Sequence, residues 1–511
     1  MSAENLTEQV RNYPDIFQGG MGVAISNWRL AGESAANGAV GIVSGAAIAT
    51  VFCRRLQNGE MDSCLQQALA GFGDQQYVAE TLDKYYIEGG RRPQQPYLTT
   101  PVFGKRNDSL AERLNVLATY TEVRRAQIYA DSLTGPDRSR SPIGINFLTK
   151  VEPPTPSSLY GAMLAGAEFI IMGAGIPADI PQALENLSRH EEAATPLNIV
   201  GASGSSSLKH KVTIDPRNYP KLAEMPLTRP PFIAIVASNS LAKFLSKEPQ
   251  TAPNGFVIEG PTAGGHNAPP RGALQVDELG QPIYGYRDIV DTADFIKGGL
   301  PFWLAGGYGT PEGLIRAKQE GANGIQVGSI FALCRDSGMA PDWRDKIVDL
   351  ALKNELTIVT SARASSTGYP FKIAQIAGSL SEDEVNNLRR RVCDQQLLTE
   401  AVQVKDGPPI YRCSAEPVEH YVRKFGKVAD TVGRLCLCNG LLATAGLGQI
   451  RRRNGSDEPV EEPPLFTPGD GAKEAVQRMA RYAGNARFSA KDVISWLRSG
   501  INLAAINIAK S

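Results

Sequence analysis

Short apolar runs that end in glycine or in small polar residues recur along the first two thirds of the chain. Most of these runs are apolar almost throughout instead of alternating, as strands covered on both faces tend to be. The pattern therefore predicts short buried strands that pair in parallel. The predicted strand regions are residues 15–20, 39–45, 142–147, 168–175, 197–204, 231–239, 256–260, 301–307 and 324–329.

Segments with helical character separate several of these runs, namely residues 26–38, 157–167 and 310–322. In the last segment Thr310 can cap the helix, Pro311 suits its first position and Gly321 suits its end. Repeated units of strand, glycine loop and helix indicate either a doubly wound sheet or a (β/α)8 TIM barrel. Nine candidate runs favour the barrel, with one run placed in an excursion.

Two stretches interrupt this repeat. Residues 46–135 are rich in charged and helix-forming residues, and we expect them to form a helical insertion within a barrel domain of residues 1–339. Residues 340–511 lose the rhythm of strands and glycines and contain proline clusters. We interpret this last third as an appended region of helices and loops that packs on the barrel.

Composition narrows the classes of partner. The 511 residues include 53 basic and 53 acidic side chains, so no excess charge favours nucleic acid or an anionic membrane surface. The N-terminal residues lack the basic and apolar blocks of a secretion signal, and no stretch approaches the ~18 apolar residues of a spanning helix. We expect a cytoplasmic protein with a small-molecule substrate.

The segment FVIEGPTAGGHN, residues 256–267, carries the first candidate for catalysis. An apolar run ends there in an acid and a glycine turn, and glycine lets the backbone approach a ligand closely at the carboxyl end of a strand. His266 is therefore a candidate catalytic residue, and Glu259, Gly264 and Gly265 are candidates for cofactor binding. The alternative is that His266 is an ordinary loop histidine.

Two further glycine loops follow the next two predicted strands. Barrel enzymes commonly bind a phosphate with the loops after their last two strands, through backbone N–H groups and the start of a short helix. Gly306, Gly307, Gly328 and Ser329 are thus candidates for binding the phosphate of a cofactor. Ordinary tight turns between strand and helix are the alternative.

A third glycine-rich loop follows the first predicted strand, in the sequence DIFQGGMGVAIS. Glycines at this place let a flat ring lie against the backbone, whose polar groups can bond the edge of an isoalloxazine. Gly20, Met21 and Gly22 are therefore candidates for binding a flavin ring. Asn146, at the end of another strand, would present its amide to the same barrel mouth, unless it only forms a turn.

These motifs together resemble a known family. QGGMG, GIN, EGPTAGGH, LAGG and IQVGS occur in the order found in nitronate monooxygenases, over roughly residues 12–335. The resemblance implies an FMN-binding barrel, with the ring at Gly20, Met21 and Gly22 and the phosphate at the later glycine loops. It further implies that His266 is the catalytic base in oxidation of nitronates or nitroalkanes by molecular oxygen.

Two alternatives to this activity stay open. Related trans-acting enoyl reductases share the FMN barrel, and the chain would then reduce an acyl-carrier or CoA thioester with NAD(P)H. A non-catalytic flavin-binding scaffold in a biosynthetic complex is the other alternative. The appended region could serve as a lid, a homodimer interface or a docking surface for a carrier protein.

The sequence departs from the family pattern in two places. Related enzymes often carry a lysine where this chain has VASNSLAKF, which offers only Ser238 or the later Lys243. The loop after His266 contains Arg271, which could bind a carboxylate, a phosphate or an acyl-carrier group of the substrate. The alternative for Arg271 is a solvated surface residue.

Four of the seven cysteines lie in the appended region, at Cys393, Cys413, Cys436 and Cys438. Four thiolates could hold zinc or an iron–sulfur cluster, and a loop-rich region would gain stability from such a site. The C-x-C spacing of Cys436 and Cys438 is not the usual C-x-x-C, and free cysteine also serves as a small buried apolar residue. Both interpretations stay open.

Overall fold

Eight parallel strands form a closed barrel. The computed structural model describes residues 2–104, 108–135, 139–201, 210–404, 407–452 and 458–508. The barrel strands are β1 (Ile16–Gln18), β2 (Gly41–Ser44), β3 (Ile143–Leu148), β4 (Ile170–Gly173), β5 (Phe232–Val236), β6 (Gly255–Glu259), β7 (Phe302–Ala305) and β8 (Gly324–Val327). Each strand pairs with its neighbour in the chain, and β8 pairs with β1. The predicted (β/α)8 TIM barrel is confirmed.

The seam between β1 and β2 closes the cylinder. A parallel bridge joins Phe17 to Val40, and the Val40 N–H donates to the Ile16 carbonyl at 2.8 Å. Inside the barrel, Phe17 stacks on the fully buried Trp303 with ring centroids 4.3 Å apart. Aromatic and branched side chains fill the interior, so a ligand finds room only at a mouth of the barrel.

Helices surround the strands. Before β1 lies Ala3–Arg11, and the connections between barrel strands contain Trp28–Ala36, Ile48–Gln57, Ser63–Ala70, Gln75–Tyr85, Asp108–Thr134, Thr155–Leu164, Ile180–Leu187, Pro220–Ala223, Asn239–Leu245, Thr292–Gly298 and Pro311–Gln319, with short 3₁₀ turns at Pro216–Asn218 and Tyr286–Asp288. The three predicted helices are confirmed. The N–H of Gly313 donates to the Thr310 hydroxyl at 3.0 Å, which is the predicted cap.

The region predicted as a helical insertion contributes a helix of the barrel ring. Helix Asp108–Thr134 packs against both Trp28–Ala36 and Thr155–Leu164, the helices that follow β1 and β3. It therefore occupies the place of the helix between β2 and β3. Leu117 and Val123 on this helix are fully buried.

One apolar run lies outside the barrel, as expected for the excursion. The run at 197–204 contains the strand Ile199–Val200, which pairs with Glu400–Val402, and residues 202–209 lie outside the described residues. The strands Ala193–Pro196 and Lys211–Ile214 flank that run in the sequence and pair with each other as an antiparallel hairpin. The hairpin and the strand Ile199–Val200 both lie between β4 and β5 along the chain.

The appended region mixes short helices and hairpins. Its helices are Pro341–Leu352, Asp383–Leu388, Val418–Arg423, Leu437–Thr444, Ala472–Ala483 and Ala490–Ile508, after the short helix Ser329–Ala332 that follows β8, with a 3₁₀ turn at Val428–Thr431. Its strand pairs are Ile358–Ser361 with Phe371–Ala374, Glu400–Val402 with Ile410–Arg412, and Ile450–Arg452 with Pro459–Glu461.

Helix Ala490–Ile508 completes the ring of helices around the barrel. It packs against Pro311–Gln319 on one side and Trp28–Ala36 on the other. Arg498 fastens it to the first strand, because its guanidinium donates to the Asp15 carboxylate at 2.9 Å and to the Gly38 carbonyl at 2.8 Å. Among the helices of the described ranges, none is long and apolar enough to cross a membrane.

Candidate active site

A cavity of about 370 Å³ lies at the carboxyl ends of the barrel strands. This volume is in the range of small-molecule and cofactor sites. His266 and all residues predicted to bind the cofactor line it, namely Gly20, Met21, Gly22, Asn146, Glu259, Gly264, Gly265, Gly306, Gly307, Gly328 and Ser329. We call the lining residues up to Leu333 the barrel wall, and those from Met339 onward the appended wall.

Asn146 is held against the first glycine loop. A Cβ atom on Gly20 would lie 2.3 Å from the Cβ of Asn146, so only glycine fits beside this side chain. The buried Oδ1 of Asn146 has no hydrogen-bond partner, and neither has the buried Oε1 of Gln326, which also belongs to the cavity lining. Buried amide oxygens without partners are costly, so both can accept hydrogen bonds from a bound ligand.

The loop after β7 adopts a glycine-dependent backbone. Gly306 and Gly307 have φ angles of 78° and 79°, in the left-handed region that favours glycine. A Cβ atom on Gly306 would lie 2.9 Å from the carbonyl oxygen of Gly260. The tight loop therefore brings two glycine backbones to the edge of the cavity.

A turn from the appended region, residues 467–471, completes the same corner of the cavity. The N–H of Gly469 donates to the Ser329 hydroxyl at 2.8 Å, and the N–H of Gly265 donates to the Thr467 carbonyl at 3.0 Å. Helix Ala472–Ala483 begins directly after this turn, and Gly471 and Ala472 line the cavity. Glycine turns and helix starts are favourable surroundings for an anion.

Sequence reasoning missed this contribution. The segment TPGDGA, residues 467–472, belongs to a proline-rich stretch of the appended region, and proline-rich composition alone indicates only a loop. A glycine turn that leads into a helical pattern is the signal that could have indicated it.

His266 is held by the appended region. Its Nε2 lies 2.7 Å from Ser365 Oγ and 3.4 Å from Thr367 Oγ1, and its ring meets the edge of Phe371 with centroids 4.7 Å apart. Burial, and then the positive charge of Lys150, lower the pKa of His266 to about 3. The imidazole is therefore neutral at physiological pH, and the same burial and charge oppose its protonation.

Lys150 is a second functional candidate, and sequence reasoning missed it. Its buried Nζ lies 3.2 Å from the ring centroid of Tyr369 and has no hydrogen-bond partner. Burial lowers the pKa of Lys150 to about 7, against the opposing effect of Glu259. Burial likewise raises the pKa of Glu259 to about 7, against the opposing effect of Lys150. The two groups titrate as a coupled pair near neutral pH.

The residues predicted in place of the family's lysine lie elsewhere. Ser238 caps helix Asn239–Leu245 by accepting the Leu241 N–H at 3.1 Å. Lys243 is exposed and pairs with Asp294 at 2.7 Å. Lys150 enters instead from the loop after β3, four positions beyond Asn146, and this spacing from a strand-end asparagine is the available signal.

Arg271 lies outside the cavity lining. It is exposed, its Nη2 donates to the Ala237 carbonyl at 3.1 Å, and its N–H donates to Asp288 at 2.8 Å. Its predicted role in substrate binding stays a prediction.

Aliphatic side chains dominate part of the appended wall. Leu437, Leu465 and Phe466 are buried in the protein at 2 % exposure or less and still border the cavity. The further apolar members of this group are Leu397, Leu398 and Leu441. Such a surface suits an apolar part of a ligand.

The four cysteines of the appended region lie near one another. The Cys393 thiol donates to the sulfur of Cys413, which raises the pKa of Cys393 and lowers the pKa of Cys413 to about 7. Burial raises the pKa values of Cys436 and Cys438. In the described ranges no group of three or more His, Cys, Asp or Glu residues could hold a metal ion. Cys413 is buried and the other three thiols are partly buried, and the interpretations as a metal site and as buried thiols both stay predictions.

Part of the chain matches a known family model. Residues 227–402, from just before β5 into the appended region, match the family model described as Nitronate monooxygenase. Over this segment the chain is similar to nitronate monooxygenases. The predicted resemblance is thus confirmed, and the match supports an oxidoreductase. Among curated proteins, none matches the chain.

Solved structures of similar proteins include FabK from Thermotoga maritima, with 14 % identity over 99 % of this chain and 98 % of that one and a TM-score of 0.45. Nitroalkane oxidase from Streptomyces ansochromogenes has 11 % identity over 98 % and 99 % and a TM-score of 0.46. The enoyl reductase domain of MlnA from Bacillus amyloliquefaciens has 10 % identity over 99 % and 98 % and a TM-score of 0.48. At these scores we base no argument on the three likenesses.

Proposed function

We propose that this protein is an FMN-dependent oxidoreductase in which His266 is the catalytic base. The observation that carries the proposal is the cavity itself, where three glycine turns, two amide oxygens without partners and a neutral histidine meet at one barrel mouth. FMN combines a flat ring that has N–H and C=O groups with a terminal phosphate. The chemistry of the lining matches both parts of that molecule.

The residues that would hold FMN divide into two groups. Of Asn146 Oδ1 and Gln326 Oε1, one would accept the single ring N–H of oxidised FMN and the other a hydroxyl of its ribityl chain, with the ring beside Gly20, Met21 and Gly22. Backbone N–H groups near Gly307 and Gly328, with the start of helix Ala472–Ala483, would hold the phosphate. This assignment keeps the predicted cofactor residues and adds the appended turn.

The chain's own residues supply position and a proton acceptor. When bound, FMN would exchange a hydride or single electrons with the substrate. His266 is neutral at physiological pH and would receive a proton from the substrate, although burial and the charge of Lys150 oppose the imidazolium that forms. Lys150 contributes positive charge close to His266, which favours a substrate that is or becomes anionic.

The leading activity is oxidation of nitronates or nitroalkanes by molecular oxygen. The family match over residues 227–402 supports it. The positive charge of Lys150 near the base is also suitable for a nitronate, which is an anion.

Reduction of an enoyl thioester by NAD(P)H is the second candidate, favoured by the aliphatic part of the appended wall. Leu397, Leu398, Leu437 and Leu441 give the cavity an apolar surface. An acyl chain would cover such a surface. In that reaction Lys150 or Glu259, each with a pKa of about 7, would deliver the proton that completes the product.

Two measurements test the proposal. The absorption spectrum of the purified protein should show oxidised flavin, and released FMN should be equimolar with the chain. A colourless protein that also fails to bind added FMN would refute the proposal.

Anaerobic mixing then separates the two activities. Reduction of the flavin by a nitronate alone supports the first. Reduction by NAD(P)H followed by reoxidation with an enoyl thioester supports the second. A flavin that neither substrate class reduces or reoxidises would contradict both activities and favour a non-catalytic scaffold.

A further inference from the structure

Ser365 is the closest hydrogen-bonding partner of the candidate base. It lies in the loop between strands Ile358–Ser361 and Phe371–Ala374, and its side chain has no solvent exposure. Its Oγ is 2.7 Å from His266 Nε2, whereas Thr367 Oγ1 is 3.4 Å from that nitrogen. An isolated antiparallel bridge joins the His266 backbone to Phe371, in the strand that follows the loop of Ser365.

The hydroxyl of Ser365 has one proton and three neighbours. It accepts the Thr367 N–H at 3.2 Å and lies 2.8 Å from Thr367 Oγ1 and 2.7 Å from His266 Nε2. If its proton goes to Thr367 Oγ1, it must accept a proton from Nε2. If its proton goes to Nε2, the proton of the imidazole lies on Nδ1.

The surroundings of Nδ1 decide between these networks. In the described part of the chain both hydrogen bonds of the His266 ring are on Nε2. A proton on Nδ1 would therefore be a donor without a protein partner, whereas a lone pair there would be an acceptor without one. His266 lines the cavity, so Nδ1, its ring nitrogen without a protein partner, is the nitrogen that a substrate can reach. Nδ1 can accept a proton there only in the first network, in which the ring proton lies on Nε2.

We propose that Ser365 is a positioning residue that keeps the proton of His266 on Nε2, so that Nδ1 is the nitrogen that receives the substrate proton. This inference rests on the proposed function, in which His266 is the base. When Nδ1 gains a proton the ring becomes a cation. The hydrogen bond from Nε2–H to Ser365 then strengthens, because a charged donor bonds more strongly than a neutral one.

Nuclear magnetic resonance of the flavin-loaded protein, labelled with ¹⁵N-histidine, reads the tautomer directly. The chain has only four histidines, and His266→Gln identifies the signals of His266 by their loss. We expect a protonated Nε2 in the wild type and a mixture of both tautomers in Ser365→Ala. Thr367→Val removes the acceptor of the Ser365 proton and should move the imidazole proton to Nδ1.

Turnover provides the second readout. Ser365→Ala should lower kcat by about 10-fold to 100-fold with little change in KM, as loss of a hydrogen bond to a developing charge predicts. Ser379→Ala is the matched control. Ser379 is another fully buried serine of the appended region, bonded to Ser381 at 2.8 Å and absent from the cavity lining. It should keep both tautomer and turnover.

The outcomes separate the two proposals. A wild-type proton on Nδ1, or an unchanged tautomer in Ser365→Ala, overturns the role of Ser365. If Ser365→Ala changes the tautomer while His266→Gln keeps full turnover, Ser365 positions the ring but His266 is not the base. In that case the proposed function fails and the structural assignment stands.

Discussion

The barrel wall and the appended wall of the cavity differ in chemistry. The barrel wall offers glycine backbones, amide oxygens without partners, Glu259 and His266. The appended wall offers leucines and a glycine turn, and Ser365 of the same region contacts the histidine from outside the lining. The difference teaches that a barrel mouth lined by polar groups can obtain an apolar surface from a separate part of the chain.

Among changes to the barrel wall, removal of the His266 imidazole should have the largest effect on turnover. His266→Ala should lower turnover by ~10²-fold or more, the usual contribution of a positioned base, while flavin content stays unchanged. Steady-state kinetics and the visible spectrum measure the two effects. His420→Ala, at an exposed histidine of the appended region, is the control and should be active. Full activity of His266→Ala would mean that His266 is not the catalytic base.

A change at the appended turn tests whether both walls hold the cofactor. Gly471 has an ordinary φ of −78° and open space where a Cβ atom would stand, so Gly471→Val places a side chain in the cavity without backbone strain. We expect FMN to bind about 10-fold to 100-fold more weakly, from the usual cost of overpacking. Fluorescence titration of the flavin-free protein measures this affinity.

Gly285→Val is the matched control for that change. Gly285 also has an ordinary φ, of −125°, and open surroundings, but it lies on the surface away from the cavity. It should bind FMN as the wild type does. Equal affinity in Gly471→Val would mean that the barrel wall holds the cofactor alone.

Glu259 of the barrel wall should make the stability of the protein depend on pH. The pKa of Glu259 is raised to about 7 in the folded protein, so the folded state favours its protonated form. Protonated Glu259 stabilises the folded state. This contribution is fully present below the ordinary pKa of a glutamate and is lost as pH rises through 7. Between pH 5 and pH 7 the unfolding free energy of the flavin-free wild type should therefore fall by about 2 kcal/mol more than that of Glu259→Gln.

Urea unfolding at the two pH values measures this difference. Lys150 adds little in this window, since its folded pKa of about 7 and its higher ordinary pKa leave it mostly protonated in both states below pH 7. If the unfolding free energies of the wild type and Glu259→Gln change with pH in the same way, Glu259 does not have a raised pKa in the folded protein.

A polar residue in the aliphatic surface should have the smallest effect and a selective one. Leu441→Asn should raise KM about 10-fold for long-chain members of the accepted substrate class and leave short-chain members unchanged, because only the long chains reach the leucines. Leu388→Asn, at an exposed leucine of the same region, is the control. Equal effects on long and short substrates would mean that the appended wall does not bind the chain.

The two walls also differ in how far the sequence could predict them. Parallel barrel strands are buried on both faces, so β3 and β6 appear as continuous apolar runs, and the glycines after them mark the mouth. This is why the predicted cofactor residues and His266 all line one cavity. The run at 197–204 has the same local pattern, and only tertiary pairing separates it from the barrel.

The missed residues depend on contacts between distant segments. Lys150 matters because it lies near Glu259 and His266, more than a hundred positions later in the chain. Ser365 and the turn at 467–471 reach the site only after the chain returns to the barrel mouth. Local patterns in the sequence carry no information about contacts between such distant segments, so the appended wall could not be predicted.

The placement of helix Ala490–Ile508 has a consequence for assembly. During synthesis the strand β8 leaves the ribosome long before this helix, and until the helix arrives the flank between Trp28–Ala36 and Pro311–Gln319 has no cover. We expect the nascent barrel to expose apolar surface there and to depend on chaperones. A chain shortened at residue 339 would keep that exposed flank permanently and should aggregate.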